Sequence, residues 1–467
     1  MTEPTVAAPP PSQAEPAPED LGYGPTPELV QAVVNAAEGG DAAAVRTLLV
    51  PLHAADIAGV VGQLTPDQRA MVVAALRGRL DPEVLAELHV VLQDEIVELF
   101  EPNELATAIT ALDTDDAVNV IENLEAADQR EVLAAIPAAD RAHVEEALAF
   151  AEESAGRLMQ RSFVAVPVYW NIGQIIDYLR DEDDLPEEFY EIFVVDHNRK
   201  PLGTVPLNRA MRAKRPIVVG DIMDKEPKIV PVDMDQEDVA YVFRQYDLTS
   251  APVVDRDGRL VGVIMVDDIL DVIHEEHGED MMRMGGVTEG DLYTSIVKTT
   301  RSRSAWLAVN TGTALLASTV ISLFDATIEQ MVALAILMPI VASMGGNTGM
   351  QALTVAVRAL ATRELTAANA PRLINKELVV GLLNGALFAV IIGSVATFWF
   401  ASLPLGLVLG AAMVVNLGVA GLCGILIPLA LERFGADPAL AASIFLTMVT
   451  DVVGFVAFLG LAASFLL

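Results

Sequence analysis

The sequence has a single cysteine, few basic side chains and no phosphate-binding loop, and each shortage excludes a class of function. Cys423 is the only thiol among 467 residues, so no disulfide can form within the chain. Lysine and arginine number 29 against 64 aspartates and glutamates, a formal net charge of −35, which would repel nucleic acid. No lysine follows a glycine anywhere, which excludes the GxxxxGK loop of many nucleotide triphosphatases. Cations are the natural partners of such a chain.

The negative charge is confined to the first two thirds of the sequence. Residues 301–467 carry seven acidic and seven basic side chains, so the whole net charge of −35 lies in residues 1–300. This asymmetry predicts an acidic, water-soluble part joined to a membrane part. Apolar stretches long enough to cross ~30 Å of hydrocarbon occur near residues 305–324, 331–357, 378–401, 405–431 and 438–467.

Basic residues flank these five stretches unevenly. They precede the first stretch and lie between the second and third and between the fourth and fifth, whereas the loops at 324–330 and 402–405 have none. The positive-inside rule therefore predicts a multi-pass protein of the cell (inner) membrane, with a cytoplasmic N-terminus and an outside C-terminus. Residues 1–27 contain eight prolines and no signal-peptide pattern, and they are predicted to be a disordered tail without a cleavable signal.

A short repeat runs through residues 28–150, which are rich in alanine, leucine and valine at helical spacing. Its copies are LTPDQRAMVVAA (64–75), LDTDDAVNVIEN (112–123) and LEAADQREVLAA (124–135). Each copy begins with leucine and passes through helix-capping residues into an apolar run. The repeat predicts a small α-solenoid, a superhelical array of short helices, and an ordinary helical bundle is the alternative.

A longer repeat occupies residues 151–283. FVVDHNRKPLGTVPLNRAM (193–211) aligns with PVVDRDGRLVGVIMVDDIL (252–270), and GRLMQRSFVAVPV (156–168) aligns with GDIMDKEPKIVPV (220–232). Each copy of the first pair reads as strand, tight turn, strand and helix. Together the copies resemble a tandem pair of CBS domains, which are usually regulatory.

The resemblance to CBS domains raises the question of a nucleotide ligand. CBS pairs often bind adenosine nucleotides through a hydroxyl and an acid that follow the repeated glycine. Pro206 and Met265 stand where the hydroxyl residue would be, although Asn208, Asp267 and Asp268 remain. ATP is therefore a weakly supported ligand.

Acidic side chains form a stripe on the helix predicted at 266–283. Asp268, Asp271, Glu275 and Glu279 share one face, because they recur at helical spacing. Like charges stacked in this way destabilise a helix, and carboxylates are the ligands that Mg²⁺ and Ca²⁺ prefer. A cation-binding face directly before the membrane is the functional interpretation, and a solvated acidic face is the alternative. HEEH at 274–277 is not the HExxH zinc motif, since its histidines are only three residues apart.

Two features of the membrane part need a functional reason. Asp451 is the one ionised residue within the fifth stretch, where a carboxylate costs at least ~2.5 kcal/mol. The second stretch contains MGGNTGMQALT (344–354), whose glycines permit close packing or local unwinding beside a cavity. Backbone carbonyls and polar side chains there would suit a hydrated ion. Simple helix packing and a protonated, hydrogen-bonded Asp451 are the alternatives, and GxxxG pairs at 381–385 and 406–410 also indicate helix packing.

Taken together, the N-terminal helical region, the CBS pair, five spans, GGNTGMQ and TDVVGF resemble the MgtE family of magnesium channels. The resemblance implies a multidomain membrane protein with a superhelical α-helical N-domain, an α/β tandem CBS pair and a five-helix transmembrane domain. The expected boundaries are a tail at 1–27, the N-domain at 28–150, the CBS pair at 151–283, a linker plug helix at 284–304 and the membrane domain at 305–467.

The same resemblance implies a homodimer whose pore lies on the two-fold axis, with Asp451 facing the ion. Gly346 and Thr354 match pore-lining positions of the family. The whole lining set predicted here is Gly345, Gly346, Asn347, Gln351 and Thr354. The metal ligands predicted besides Asp451 are the cytoplasmic sensor acids Asp235, Glu237, Asp247, Asp268, Asp271, Glu276, Glu279 and Asp280, together with Asp437 at the start of the fifth span.

Some positions depart from the family pattern. Met350 stands where a second asparagine is common, and Asn103 and Thr107 stand where the N-domain usually has an acid pair. Glu83 and Glu104 are the remaining candidates for a metal site in that domain.

The predicted function is that of a channel for passive Mg²⁺ influx, which closes when cytosolic Mg²⁺ binds. Mg²⁺ is therefore both the transported ion and the regulatory ion. The alternatives are a general divalent cation transporter for Co²⁺ or Mn²⁺ and a nucleotide-sensing CBS membrane protein. A CBS-regulated chloride channel would need more spans. An enzyme is not expected, because all six histidines lie outside the membrane part and no catalytic set is evident.

Overall fold

The computed structural model describes residues 24–124, 126–182, 185–186, 188–287, 293–366 and 368–466. The chain divides into two units. The first comprises the described residues of 1–236 and 249–265, and the second comprises those of 237–248 and 266–467. The second CBS copy is therefore shared between the units, since its strands belong to the first and most of its helical residues to the second. The disordered tail predicted at 1–27 lies outside the described residues up to position 23.

The N-domain consists of short helices. They are α1 (Pro27–Glu38), α2 (Ala42–Leu49), α3 (Ala54–Gly62), α4 (Pro66–Leu76), α5 (Glu83–Ala86), α6 (Val90–Val97), α7 (Pro102–Thr110), α8 (Thr114–Glu122), α9 (Ala126–Ala135) and α10 (Ala138–Leu148). The main contacts join helices close in sequence, such as α1 with α2, α2 with α4, α7 with α9 and α8 with α10. This near-neighbour pattern fits the predicted superhelical array.

Capping residues set where these helices begin, as the repeat predicted. Thr65 and Gln68 form a capping box at the start of α4, and Asp113 precedes α8. The α9 copy starts at the same offset from its leucine, at Ala126. Because a cap satisfies backbone N–H groups that the first helical turn leaves open, short helices can follow one another with few intervening residues.

The CBS pair contains two sheets and the helices around them. Its elements are α11 (Ala155–Leu158), β1 (Ala165–Pro167), α12 (Ile172–Asp181), β2 (Glu191–Val195), β3 (Pro201–Pro206), α13 (Leu207–Arg212), α14 (Val219–Ile222), β4 (Asp224–Lys225), β5 (Val230–Pro231), α15 (Gln236–Tyr246), β6 (Ser250–Val254), β7 (Leu260–Met265) and α16 (Val266–Met284). The strand orders are β1-β2-β3-β4 and β5-β6-β7.

Strand register confirms the 59-residue repeat. Val194 pairs with Gly203 in the antiparallel β2–β3 ladder, and Val253 pairs with Gly262 in β6–β7. Both ladders shift register directly after that pair. Each repeated glycine also lies against foreign backbone: a Cβ on Gly203 would sit 2.5 Å from the Asp224 carbonyl oxygen, and one on Gly262 would sit 2.9 Å from that of Gln160. No side chain fits there.

Among the described residues, five helices are long and apolar enough to span a membrane. They are α17 (Ile296–Ser322), α19 (Ala333–Ala361), α20 (Ala370–Phe400), α21 (Leu403–Arg433) and α22 (Pro438–Phe465), with the short α18 (Asp325–Gln330) between the first two. The shortest, at 27 residues, is ~40 Å long at 1.5 Å per residue. The number and order of spans predicted from hydropathy are confirmed.

Glycines let α20 and α21 pack backbone to backbone, as the GxxxG pairs predicted. A Cβ on Gly381 would collide with the carbonyl oxygen of Leu417, and one on Gly385 would lie 2.8 Å from the Cα of Val414. Farther along, a Cβ on Gly393 would lie 2.8 Å from the carbonyl oxygen of Gly406. Lipid tails are as apolar as the side chains, so the hydrophobic effect does not drive helices together in a membrane. Close backbone contacts of this kind stabilise the helix pair through dispersion instead.

The linker predicted as one helix at 284–304 differs in the structure. Helix α16 ends at Met284, residues 285–287 are not helical, and 288–292 lie outside the described residues. The last nine positions, 296–304, are instead the first turns of α17. Gly286, with φ +67° and no room for a Cβ beside Trp306, turns the chain after α16. Because nothing in residues 296–310 breaks the helix, the basic segment and the first span are continuous.

Candidate functional site

Helix α19 presents one packed face and one open face. Gly345, Gly349 and Ala352 are buried, whereas Asn347, Gln351 and Thr354 are exposed. Gly346 borders open space, since a Cβ placed on it would meet nothing within 4 Å. Four of the five predicted pore-lining residues therefore share the open side of the helix, which the 3.6-residue period requires.

Gly345 is the exception among the predicted lining residues. It lies on the packed face, where a Cβ would sit 2.9 Å from Cγ of Asn416, so it lines a helix junction rather than the open face. The unwinding considered for this segment is also absent: α19 is helical from Ala333 to Ala361, through Pro339 and the glycines. Gly345 and Gly349 allow close approach of neighbouring helices, whereas Gly346 does not take part in such a contact.

Two contacts place Asp451 at the depth of the glycine segment. A Cβ on Gly349 would lie 2.8 Å from Leu446, and one on Gly454 would lie 3.2 Å from Val341. These pairs run in opposite directions, so α19 and α22 are antiparallel, and Asp451 lies between the two contacts. Its side chain is half-buried. A carboxylate at this depth needs water or a cation.

The acidic stripe forms as predicted, on the 19-residue helix α16. Ile269 and Val272 are the buried residues of this helix, and the acids lie outside that buried face. Burial, then the charge of Asp267, raises the pKa of the Asp271 carboxyl. Asp271 therefore resists ionisation, because burial and the neighbouring carboxylate of Asp267 both disfavour its charged form.

Asp437 joins the stripe to the fifth span. Its carboxylate caps α22 by accepting from the N–H of Ala439 at 2.7 Å. Arg283 donates to the other oxygen of Asp437 at 2.9 Å and also pairs with Glu279. Burial, followed by the charges of Asp437 and Glu276, raises the pKa of Asp280. Four acids and one arginine therefore gather where α16 meets α22.

A second contact in the same unit joins α15 to the loop after α19. Arg363 pairs with Asp238, and its guanidinium lies 4.9 Å from the ring centroid of Tyr241. Arg244 donates to the carbonyl oxygen of Thr362 at 3.3 Å. Sequence reasoning counted Arg363 only among the basic residues between the second and third spans; its positive φ of 56° cannot be read from a sequence pattern.

Of the remaining predicted sensor residues, Glu237 lines a cavity of the second unit together with Glu276 and Asp280. Asp235 precedes α15 and belongs to the first unit. Asp247 is exposed with φ 51°. Within the parts of the chain that the structure describes, no three His, Cys, Asp or Glu side chains are grouped so as to hold a metal ion. The predicted ligand set is thus brought only partly together within one chain.

The N-domain contains an acidic cluster around Asp116, of which the sequence reasoning considered only Glu83 for metal binding. Burial raises the pKa of Asp116 to about 7, and nearby acids add to the effect. Those acids are, in order of effect, Asp115, Asp113, Glu87 and Glu83. Glu104, the other metal candidate, is instead paired with Arg77 at 3.3 Å. The run DTDD was the available signal, but only folding shows that it faces Glu83.

Comparison with known proteins agrees with this architecture. The sequence model of the MgtE divalent cation transporter family matches residues 338–461, that of the MgtE intracellular N domain matches 52–153, and that of the CBS domain matches 219–275. The magnesium transporter MgtE of Thermus thermophilus is 32% identical over 442 residues, covering 93% of this chain and 98% of the relative. The chain belongs to the MgtE family.

Other relatives extend the match. The magnesium transporter MgtE of Bacillus subtilis is 26% identical over 94% of this chain and 98% of its own length. A crystal structure of the cytosolic domain of the Mg²⁺ channel MgtE in complex with ATP is 31% identical, with a TM-score of 0.48, over 52% of this chain and 99% of that one. Members of the MgtE family are transporters or channels, so the expectation that this chain is not an enzyme is confirmed.

Proposed function

We propose that this MgtE family chain conducts Mg²⁺ passively across the cell membrane as a homodimer, and that cytosolic Mg²⁺ closes it. The observation that carries the proposal is Asp451. Its carboxylate is half-buried in the fifth span, at the depth of a glycine segment whose exposed side carries Asn347, Gln351 and Thr354. One carboxylate per chain with neutral oxygens suits a largely hydrated Mg²⁺, which gives up its water reluctantly.

Homodimer formation would create a site in which a cation offsets the free-energy cost of burying this carboxylate. Two copies of Asp451 across a two-fold axis would repel unless a dication lay between them. Helix α17 has Ala317 as its one buried residue, so most of its surface remains available to lipid or a second copy. Gly346, Asn347, Gln351 and Thr354 would then line the path beside Asp451.

No energy source is required for uptake. An inside-negative potential supplies ~2.3 kcal/mol per charge per 100 mV, hence roughly 4.6 kcal/mol for a divalent ion. The direction follows from the orientation that basic residues favour: Arg358 lies in the last turn of α19 and Arg433 ends α21. These ends would face the cytoplasm and the C-terminus would lie outside.

Cytosolic Mg²⁺ would act on the acidic faces of α15 and α16 and on the start of α22. The proposed sensor acids are Asp235, Glu237, Asp247, Asp268, Asp271, Glu276, Glu279, Asp280 and Asp437. Burial first, and neighbouring acids second, raise the pKa of Asp271 and of Asp280. This supports the role, because a bound dication would stabilise the ionised form of both carboxyls. Mg²⁺ commonly keeps several waters and uses one or two carboxylates, so three clustered ligands within a chain are not required.

The first test measures Mg²⁺ flux into proteoliposomes. Asp451→Asn should reduce the flux at least tenfold, because the amide no longer attracts the cation. Asp325→Asn, in the short helix between the first two spans, is the matched control and should conduct like wild type. Equal flux in Asp451→Asn and wild type would refute the proposed ion path.

The second test addresses closure. Limited proteolysis of the full-length protein around residues 285–295 should slow when millimolar Mg²⁺ is present, because neutralised acidic faces would draw together. The combined variant Asp271→Asn, Asp280→Asn should show a smaller Mg²⁺ effect. Identical cleavage with and without Mg²⁺ in the wild-type protein would contradict closure by the sensor.

ATP is the second candidate ligand, and the relative crystallised with ATP is what favours it. In this chain Pro206 ends β3 and Met265 ends β7, so neither supplies a hydroxyl to a ribose. Titrating protease protection with ATP and with Mg²⁺ separately distinguishes the two sensors. Flux measured with Co²⁺ and Mn²⁺ in place of Mg²⁺ distinguishes a general divalent cation transporter.

A further inference from the structure

Asn416 is a polar side chain buried where three spans meet. Asn416, in α21, has no exposed surface, and its Nδ2 donates to the carbonyl oxygen of Val341 in α19 at 2.8 Å. Its Oδ1 is buried and has no hydrogen-bond partner among the described residues. Burying an amide in an apolar environment is unfavourable unless it is hydrogen-bonded, so packing alone would favour an apolar residue at this position.

The amide is confined by glycines from the two helices that carry the proposed ion path. A Cβ on Gly345 of α19 would lie 2.9 Å from its Cγ and 3.1 Å from its Oδ1. A Cβ on Gly454 of α22 would lie 2.8 Å from its Nδ2. Any side chain larger than hydrogen at either glycine would displace the amide, so both glycines are explained by Asn416.

These contacts lie next to the conduction residues. Gly345 directly precedes Gly346 and Asn347, and Gly454 is three residues, about one helical turn, after Asp451. The Asn416 amide therefore contacts both helices within about one turn of the residues whose oxygens are proposed to meet the ion. A shift of this amide would change the separation between those oxygens.

We propose that Asn416 is a positioning residue for ion conduction. Its Nδ2 fixes the Val341 turn of α19, and its amide plane sets the distance between the Gly346–Asn347 segment and the Asp451 turn of α22. This inference rests on the proposed role of Asp451. Mg²⁺ requires near-ideal octahedral geometry, whereas Ca²⁺ accepts variable geometry and longer bonds. Fixing this distance therefore favours Mg²⁺ over Ca²⁺.

Thr450 provides a matched control. It is also fully buried and adjoins Asp451, but its hydroxyl donates within its own helix, to the carbonyl oxygen of Leu446 at 3.0 Å. Thr450→Val removes a buried hydrogen bond without removing a bond between helices. Asn416→Leu keeps the branched shape of the side chain while removing the bond to α19.

The experiment measures Mg²⁺ and Ca²⁺ flux separately in proteoliposomes containing the full-length protein. Asn416→Leu should lower Mg²⁺ flux by about three- to twentyfold, the range that the strength of interhelical hydrogen bonds allows, and should lower the ratio of Mg²⁺ to Ca²⁺ flux. Thr450→Val should keep both within twofold of wild type. Wild-type flux and ratio in Asn416→Leu, or an equal loss for both ions, overturns the proposal.

A size exchange separates positioning by the hydrogen bond from simple filling of space. Gly345→Ala combined with Asn416→Ala removes the amide that would obstruct the new methyl group, so packing is restored but the bond to Val341 is not. The double variant should stay as thermally stable as Asn416→Ala and keep the reduced Mg²⁺ to Ca²⁺ ratio. Recovery of the wild-type ratio would show that Asn416 only fills space and would overturn the proposal.

Asp451→Asn, measured in the same preparation, distinguishes the two levels of inference. If it abolishes flux while Asn416→Leu behaves as wild type, only the positioning role fails. If Asp451→Asn conducts normally, the proposed function fails first. Should Asn416→Leu not assemble, Gly454→Ala is the second variant, since its methyl group would displace the same amide and should lower the same ratio; an unchanged ratio there overturns the positioning role.

Discussion

Replacing Asp116 by asparagine should stabilise the N-domain, and the gain should grow with pH. Asp116 lies in the first turn of α8, and burial with neighbouring acids raises its pKa from 3.8 to about 7. The folded protein therefore holds this proton more tightly than the unfolded chain does. Wild-type stability should fall as pH rises from about 4 to about 7 and stay level above. The asparagine variant has no carboxyl group at this position, so its stability should not fall over this pH range.

The magnitude follows from the difference between the two pKa values. A difference of about three corresponds to ~4 kcal/mol at most, at 1.36 kcal/mol for each pH unit. Asp116 is partly open to solvent, and solvent screening reduces the figure to ~2 kcal/mol. The variant should therefore unfold at higher denaturant than wild type at pH 8, with little difference at pH 4.5.

Hydrogen exchange of α7 to α10 in the full-length protein, with chelator present, would measure this difference locally. Asp128→Asn, which replaces an exposed acid of α9, is the control and should show no gain that grows with pH. Millimolar Mg²⁺ at pH 8 should stabilise wild type more than Asp116→Asn. If the two proteins are equally protected at pH 8 without Mg²⁺, the electrostatic reasoning about this cluster is wrong.

Three further substitutions test other contacts. Arg69→Leu should destabilise the N-domain by about 2 kcal/mol in denaturant unfolding, because the Glu95 carboxylate loses the nearly buried arginine with which it forms an ion pair. Gly381→Val should lower the melting temperature in detergent, since its branch would enter the backbone of α21; Gly312→Val, which meets open space, should not. Arg363→Ala breaks the ion pair to α15 and should raise the Mg²⁺ needed for half-closure about two- to fivefold; an unchanged value would separate this contact from gating.

Much of the architecture was predictable because periodic patterns report it directly. Five apolar stretches gave five helices, and a 59-residue shift gave two ladders whose pairs match at Val194–Gly203 and Val253–Gly262. Contacts between distant segments were not predictable. Asn416 looked like one polar residue in an apolar run, and nothing in the run indicated that two glycines from other helices confine it. The contact of Gly345 with Asn416 was not predictable for the same reason.

The glycine seam described for α20 and α21 has a mechanical consequence. The two helices are in backbone contact at Gly381, Gly385 and Gly393. They cannot slide or tilt against each other without steric collision, so they should move as one rigid body. Among the described residues, helix α17 packs mainly on α22, has one buried residue and has no glycine in a backbone contact of this kind. Opening and closing should therefore displace the first span against a stationary α20–α21 pair, and spin labels on α17 should report motion that labels across the seam do not.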